Sequence, residues 1–244
     1  MHTFFVSSQA VSGDSIALSE PGDVHHLKKV LRLRVGTGVR ICDDQGNAYA
    51  CILAELSPMV SLKIKKKMSS SLLKKVSLTV ACAIPKKGSM DDIVDKLTQL
   101  GVDRIIPLVT QRVVVRMDAS LRNAKLMRWR RKALAASQQA QRKTLPVIEP
   151  VATMQEVWEK TATCDMKLIP TLEGRRIPLR SVLENKSPKY ILVFIGPEGD
   201  FSAAEVAAAI KHGCLPVSLG EQVLRVETAA VAVASYCMLY YENV

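Results

Sequence analysis

Short runs of apolar residues dominate the first seventy residues of the chain. Four of these runs predict β-strands because they are rich in strand-forming residues and are bounded by turn residues. The predicted strands are Thr3–Val6, Val39–Asp43, Asn47–Glu55 and Val60–Lys66. The segment after Pro21-Gly22-Asp23 has apolar residues at helical spacing instead, so it predicts a single helix. The pattern as a whole indicates a small, mainly β domain.

The pattern then changes to longer apolar runs that alternate with amphipathic segments. The polar stretch Lys65–Ser71 is predicted to be a solvated linker, which divides the chain into domains 1–71 and 72–244. The second domain is predicted to contain, in order, strand Val76–Ile84, a helix from Ser89 to Gly101, strand Arg104–Val109, helices Ala119–Gln141 and Thr153–Thr161, strands Met166–Ile169 and Tyr190–Ile195, helix Ala203–His212, strand Leu215–Leu219 and a helix from about Thr228. This alternation predicts an α/β domain with a mostly parallel sheet.

Composition narrows the class of protein. Hydrophobic residues make up 48% and charged residues 23% of the chain, which is typical of a globular protein. Basic residues exceed acidic ones by 34 − 23 = 11, which predicts a polyanionic partner, nucleic acid before a membrane surface; an incidentally basic protein is the alternative. The longest apolar stretch is too short to span a membrane, and the chain has no signal-peptide pattern. The six cysteines are scattered, which predicts reduced thiols and no metal site. Together these features predict a cytoplasmic protein.

Most of the excess positive charge lies between Arg112 and Lys143. This segment contains ten basic residues and one acidic residue, Asp118, so its net charge is 10 − 1 = +9. Because such a density is self-repulsive on a helix, it predicts contacts to phosphates, and a solvated helix face is the alternative. Trp129 within the segment is expected to anchor the helix in the core.

Two loops that contain glycine follow apolar strands in the last fifty residues, at 195–200 and 219–228. Ligands of open α/β sheets bind at the carboxyl ends of strands, and glycine lets the backbone approach a flat heterocycle. The sequence has no dinucleotide-binding glycine motif and no P-loop, which disfavours dinucleotides and nucleoside triphosphates. A cofactor without phosphates, such as S-adenosylmethionine, fits these loops. The alternative is that the glycines are only turn residues.

The same residues resemble the RsmE family of SPOUT-class methyltransferases, which act on N3 of a uridine in 16S ribosomal RNA. The resemblance is carried by Ile-Gly-Pro-Glu-Gly-Asp-Phe-Ser at 195–202, Leu-Gly at 219–220, and Leu-Arg-Val-Glu-Thr-Ala-Ala at 224–230. It extends to His25-His26-Leu27 and residues 30–34, which resemble a PUA-like RNA-binding domain, and to the spacing of Gln139, Arg142 and Pro146.

The resemblance implies S-adenosylmethionine as cofactor, small-subunit ribosomal RNA as substrate, a C-terminal trefoil knot and a homodimer with each site at the subunit interface. The cofactor-binding residues that it implies are Pro170, Thr171, Ile195, Gly196, Pro197, Gly199, Leu219, Gly220, Leu224, Glu227, Thr228 and Ala229. The candidates for RNA contacts, on both domains, are Arg32, Arg34, Arg112, Arg116, Arg128, Arg131, Gln139 and Arg142. No metal is expected.

Two positions depart from the family pattern. Asp200 stands where many members have a second glycine, so the turn there is expected to be tighter or differently hydrogen-bonded. Thr3 stands where many members have an arginine, which puts an N-terminal contact to RNA in doubt.

Methylation of uridine N3 requires that its proton leaves before the nitrogen lone pair can react. Glu198 is the candidate base, and Arg142 or Arg225 is the candidate group that stabilises the resulting negative charge. Glu198 could equally brace its loop by accepting backbone N–H bonds, and bracing or a helix N-terminal role is favoured for Glu227. The alternative functions are methylation of another RNA by a related knotted enzyme and a non-catalytic role in ribosome assembly.

Overall fold

A computed structural model describes residues 1–68, 76–86, 90–112, 118–184 and 186–242 of the chain. The chain divides into two compact units. Unit 1 contains Met1–Leu73 and Ser137–Leu145, and unit 2 contains Lys74–Ala136 and Pro146–Val244. The contribution of residues 137–145 to unit 1 was not predicted. The expected boundary near residue 72, Ser89 and Arg116 lie outside the described residues.

Unit 1 is built on a six-stranded sheet, which contains the four predicted strands and two more. Its elements are β1 (His2–Val6), β2 (Val11–Ser12), β3 (Ser15–Leu18), α1 (Pro21–His25), which continues into a π-helical turn at His26–Val30, β4 (Gly38–Asp43), β5 (Ala48–Glu55) and β6 (Val60–Met68). The strand order is β1-β4-β5-β6-β3-β2, and β1 and β4 are its one parallel pair. Apolar residues of alternate positions, such as Phe4, Ile41 and Leu62, form its core. The expected small β domain is therefore confirmed.

Strand β6 is longer than the hydrophobic pattern predicts. Met68 pairs with Ala48 and Lys67 with Tyr49 on β5, so the prediction that a solvated linker begins at Lys65 is wrong. A strand with one face in solvent accepts lysines at exposed positions, and a run of lysines therefore looks like a linker although its backbone is paired. The strands β2 and β3 were not predicted. Helix α1 begins at Pro21 rather than after Asp23, because proline is well suited to the first helical position.

Unit 2 contains an eight-stranded sheet in which every described pairing is parallel. Its elements are β7 (Ser77–Ala83), α2 (Met90–Gln99), β8 (Arg104–Val109), α3 (Ala119–Gln139), β9 (Val147–Ile148), β10 (Ala152–Thr153), α4 (Met154–Lys160), β11 (Met166–Pro170), β12 (Ile177–Pro178), α5 (Leu179–Leu183), β13 (Tyr190–Ile195), α6 (Ala203–Lys211), β14 (Cys214–Ser218) and α7 (Val226–Glu242). The strand order is β10-β8-β7-β13-β11-β14-β12, with β9 beside β8. The predicted α/β class with a parallel sheet is confirmed.

Apolar side chains cover both faces of this sheet. Val193 of β13 belongs to the core on one face and its neighbour Phe194 to the core on the other, because successive strand residues point in opposite directions. Trp129 is 2% exposed, which confirms it as the core anchor of α3. Because β13, β11 and β14 are adjacent and parallel, the loops that follow them meet at one edge of the sheet.

Candidate functional site

A cleft that is open to solvent lies at the carboxyl ends of β11, β13 and β14. Of the twelve residues that the sequence predicts for cofactor binding, nine line this cleft. These are Pro170, Thr171, Ile195, Gly196, Pro197, Leu219, Gly220, Leu224 and Ala229. Gly199, Glu227 and Thr228 are not among the lining residues. Glu198, the candidate base, also lines the cleft.

Although four of them lie within the two predicted loops, seven further lining residues were not named as candidates for cofactor binding. They are Leu172, Arg176, Asp200, Val217, Gln222, Val223 and Val226. Val217 belongs to a predicted strand and Val226 to the family motif at 224–230, so position along the chain could have indicated both. Leu172 and Arg176 lie in the connection between β11 and β12, where no motif or periodicity marks them.

The cleft has an apolar floor and a polar mouth. Ile195, Val217 and Val226 on the floor are at most 3% exposed. Arg176 and Glu198 at the mouth are exposed to solvent. The cleft is therefore suited to a ligand with an apolar, planar part that is buried and a charged part that stays near water.

Asp200 links two loops that border the cleft. Its Oδ2 accepts hydrogen bonds from the Thr171 hydroxyl at 3.0 Å and from the Leu172 backbone N–H at 2.7 Å, while its Oδ1 accepts one from the Phe201 N–H at 2.8 Å. Asp200 has a φ of +58°, a left-handed conformation in which glycine is favoured and aspartate is tolerated. A glycine could not form these three hydrogen bonds, and how this turn compares with that of other family members stays a prediction.

Glycine occupies positions 196 and 220 of the cleft for different physical reasons. A Cβ atom at Gly196 would lie 3.1 Å from the Phe201 ring and 3.2 Å from Asp200 Oδ1, so a side chain there would need these neighbours to shift by a few tenths of an ångström. Gly220 has a φ of +123°, and a Cβ atom on it would meet no protein atom within 4 Å. Glycine at 220 therefore satisfies a backbone conformation beside open space, whereas glycine at 196 relieves tight packing.

The carboxylate of Glu198 accepts a 2.8 Å hydrogen bond from the backbone N–H of Lys86 through its Oε1. A hydrogen bond from a backbone N–H is what the alternative role of Glu198, bracing of its loop, predicts. The neighbouring Gly199 carbonyl accepts a hydrogen bond from Arg112, so the loop after β13 is tied to the segment after β7 and the segment after β8. Oε1 is occupied by Lys86, and the role of Glu198 as a base stays a prediction.

The two candidate arginines lie in different units. Arg225 is exposed and stands directly before α7, between the lining residues Leu224 and Val226. Arg142 belongs to unit 1, where its Nε donates to the Thr144 carbonyl at 3.1 Å. Glu227 lies in the first turn of α7, the helix N-terminal position that was expected.

The positive charge of α3 has partners within the protein. Arg128 forms an ion pair with Asp91 of α2, and Lys132 lies 4.0 Å from Asp95 of the same helix. Carboxylates of α2 therefore offset part of the charge of α3, and the contacts of α3 to phosphates stay a prediction. Arg131 is exposed.

The other candidates for RNA contacts lie mostly at the surface. Arg32, Arg34, Arg112 and Gln139 are exposed and Arg142 is half-buried. Thr3 is 4% exposed, so its side chain lies in the core of unit 1 rather than on its surface.

Further expectations concern metals, thiols and membranes. Within the described ranges, no group of three or more potential ligands is arranged to hold a metal ion. All six cysteines are free, and all except Cys164 are buried. Among the helices of the described residues, none has both the length and the apolar character needed to cross a membrane.

Comparison with known proteins shows similarity along nearly the whole chain. Residues 73–238 match a family model described as an RNA methyltransferase domain, and residues 18–58 match an RNA methyltransferase PUA domain. The ribosomal RNA small subunit methyltransferase E of Synechocystis is 30% identical over 84% of this chain and 67% of its own length.

Two solved structures have a similar fold over both units. The ribosomal RNA small subunit methyltransferase E of Neisseria gonorrhoeae, bound to S-adenosylmethionine, has a TM-score of 0.85 at 27% identity and covers 98% of both chains. A methyltransferase of Legionella pneumophila, in complex with the same cofactor, has a TM-score of 0.86 at 26% identity and covers 98% of this chain and 97% of its own.

Proposed function

The chain belongs to the RNA methyltransferase family that includes ribosomal RNA small subunit methyltransferase E, and we propose that it transfers the methyl group of S-adenosylmethionine to N3 of a uridine in 16S ribosomal RNA. The observation that carries this proposal is the cleft at the carboxyl ends of β11, β13 and β14. Ten of its seventeen lining residues lie in the three motifs that carry the resemblance to the family. Relatives of similar fold bind S-adenosylmethionine.

The residues of the cleft fit this cofactor. The apolar floor at Ile195, Val217 and Val226 excludes water from an adenine ring, and the open space beside Gly220 lets the ring approach the backbone. S-adenosylmethionine supplies a methyl group activated by its sulfonium. The protein then has to hold the uridine in line with that methyl group, and positioning contributes most of the rate.

A carboxylate at the mouth of the cleft would handle the proton of uridine N3. Glu198 accepts the Lys86 N–H through Oε1, which fixes its carboxylate, and Oε2 is the atom that would take the proton. Arg225, next to the lining residues, would stabilise the negative charge on the uracil carbonyl oxygens. Arg142 in unit 1 is the alternative stabiliser.

The RNA would contact basic residues of both units. Unit 1 contributes the exposed Arg32 and Arg34, and its PUA-domain match supports an RNA-binding role. Unit 2 contributes Arg131 on α3. Phosphates would bind these side chains, because arginine forms bidentate hydrogen bonds with phosphate oxygens. A ribosomal RNA substrate places the proposed reaction in the cytoplasm.

The proposal includes a homodimer and a knotted chain. Tyr236 and Leu239 on α7 are 38% and 59% exposed, and an apolar helix face of this kind is suited to packing against a second copy. In sedimentation experiments, wild type is expected to be a dimer and Leu239→Glu a monomer. The C-terminal knot is part of the proposal because the resemblance to the family implies it.

Methyl transfer to defined RNAs tests the proposed substrate. Protein is incubated with methyl-labelled S-adenosylmethionine and with small ribosomal subunits or 23S ribosomal RNA from a strain that lacks the gene. Label in 16S ribosomal RNA alone is the expected result. Label in a different RNA would instead identify a related methyltransferase. RNA binding without cofactor binding would identify a non-catalytic assembly factor.

A further inference from the structure

Three charged side chains line the mouth of the cleft, and two of them are acidic. The Asp200 carboxylate accepts three hydrogen bonds, from Thr171, Leu172 and Phe201. The Glu198 carboxylate accepts one from the Lys86 N–H. Groups of the protein itself thus hold both acidic side chains in place.

Arg176 is the one cation among the lining residues of the described chain. Its Nη1 donates to the Thr171 carbonyl at 3.2 Å, which holds the guanidinium beside the end of β11. Guanidinium has five N–H donors in a planar fork. One contact to a carbonyl leaves donors on the same fork for a second, bidentate partner.

The position of Arg176 is itself fixed by a further contact. Thr171 accepts the Arg176 bond through its backbone carbonyl, while its hydroxyl donates to Asp200. The loop after β13 therefore holds the residue on which Arg176 rests. A cation prepared in this way loses little conformational entropy when an anion binds.

S-adenosylmethionine has a single anionic group, the carboxylate of its amino-acid part. If the adenine occupies the apolar floor, the charged amino-acid part extends toward the mouth, where Arg176 lies exposed. We propose that Arg176 binds this carboxylate and thereby contributes to the selection of the cofactor. The inference rests on the proposed function, since it assumes that S-adenosylmethionine is the ligand.

Binding of three adenosine ligands would show whether Arg176 binds the carboxylate or only shapes the loop. S-adenosylmethionine and S-adenosylhomocysteine carry the carboxylate, whereas 5′-methylthioadenosine lacks the whole amino-acid part. Calorimetry would measure the dissociation constant of each ligand for wild type, Arg176→Gln and Arg176→Lys. Arg175→Gln is the matched control, because Arg175 is the adjacent exposed arginine and does not line the cleft.

The expected result is that Arg176→Gln weakens binding of the two carboxylate ligands by about 10- to 100-fold, the usual effect of losing a hydrogen bond to a charged group. Binding of 5′-methylthioadenosine should not change. Arg176→Lys should recover part of the loss, and Arg175→Gln should resemble wild type.

Equal losses for all three ligands would overturn the proposal, because they would mean that Arg176 only shapes the loop. Unchanged binding of all three would also overturn it, and a loss confined to RNA affinity would assign Arg176 to an RNA phosphate instead. If wild type bound none of the three ligands, the proposed function itself would fail.

Discussion

The hydroxyl of Thr171 donates a 3.0 Å hydrogen bond to the carboxylate of Asp200, and this contact joins the loop after β11 to the loop after β13. The same carboxylate also accepts the Leu172 N–H at 2.7 Å. Two walls of the cleft are thus held together by one side chain. A glycine at position 200 would leave these donors without that partner.

Replacing Asp200 tests this link. In Asp200→Gly the left-handed backbone is retained and the carboxylate is lost, so the amides of residues 171–176 should exchange faster in hydrogen-exchange mass spectrometry. Affinity for S-adenosylmethionine should fall by about 10-fold, which corresponds to about 1.4 kcal/mol. Asp200→Asn keeps one acceptor oxygen and should show a smaller change. Exchange that is the same in Asp200→Gly and wild type would show that Asp200 does not hold the loop.

The site could be predicted from the sequence only where local pattern marks it. Ile195 ends, and Gly196 and Gly220 follow, strands whose apolar runs are visible in the sequence, so their meeting at one sheet edge could be expected. Leu172 and Arg176 line the cleft within a loop that a tertiary contact with Asp200 holds in place. No local pattern encodes a contact between residues that are so far apart in sequence.

In the fold, too, the elements with a clear local pattern could be predicted and the others could not. The predicted bounds of β13 agree with the structure because every residue from Ile191 to Ile195 is apolar and buried. The strands β9, β10 and β12 have only two residues each, too few for any periodicity. The ion pairs of Arg128 and Lys132 could not be predicted, because their partners Asp91 and Asp95 belong to another helix.

Binding of the cofactor in the cleft can be tested at a helical residue, where a substitution does not affect the positive-φ positions Asp200 and Gly220. Ala229 lines the cleft from within α7, so leucine there should fill ligand space while the helix is preserved. Ala229→Leu should lower the affinity for S-adenosylmethionine by at least about 10-fold with little change in thermal stability. Ala207→Leu, at an exposed position of α6, is the control and should bind normally. Normal binding by Ala229→Leu would exclude this cleft as the site.

The role of Glu198 as a base predicts a distinct pH dependence. Glu198→Gln keeps a carbonyl oxygen to accept the Lys86 N–H but cannot take a proton. Cofactor binding should survive, and single-turnover methylation should fall by about two to four orders of magnitude, the usual contribution of a positioned base. Raising the pH should restore part of the rate, since hydroxide can deprotonate uridine N3. Loss of cofactor affinity without rescue at high pH would show that Glu198 only braces the loop.

The salt dependence of RNA binding tests the basic face of α3. Each phosphate contact adds about one unit to the slope of log affinity against log salt concentration. Arg131→Gln should reduce the slope by about one unit. Arg128→Gln should reduce it less, because Arg128 is already paired with Asp91. Arg180→Gln on α5, whose side chain pairs with Glu184, is the control. A slope that Arg131→Gln leaves unchanged would mean that α3 does not contact RNA.

The identity of the methylated nucleoside tests the central claim most directly. Small ribosomal subunits from a strain without the gene are treated with the purified protein and S-adenosylmethionine, and their 16S ribosomal RNA is digested to nucleosides for chromatography and mass spectrometry. One new nucleoside, 3-methyluridine, is expected with wild type, and it should be absent when the protein is Ala229→Leu. A methyl group on uracil C5, on a ribose hydroxyl or on another base would contradict the proposed N3 chemistry, and the absence of any new methylated nucleoside would contradict the proposed function.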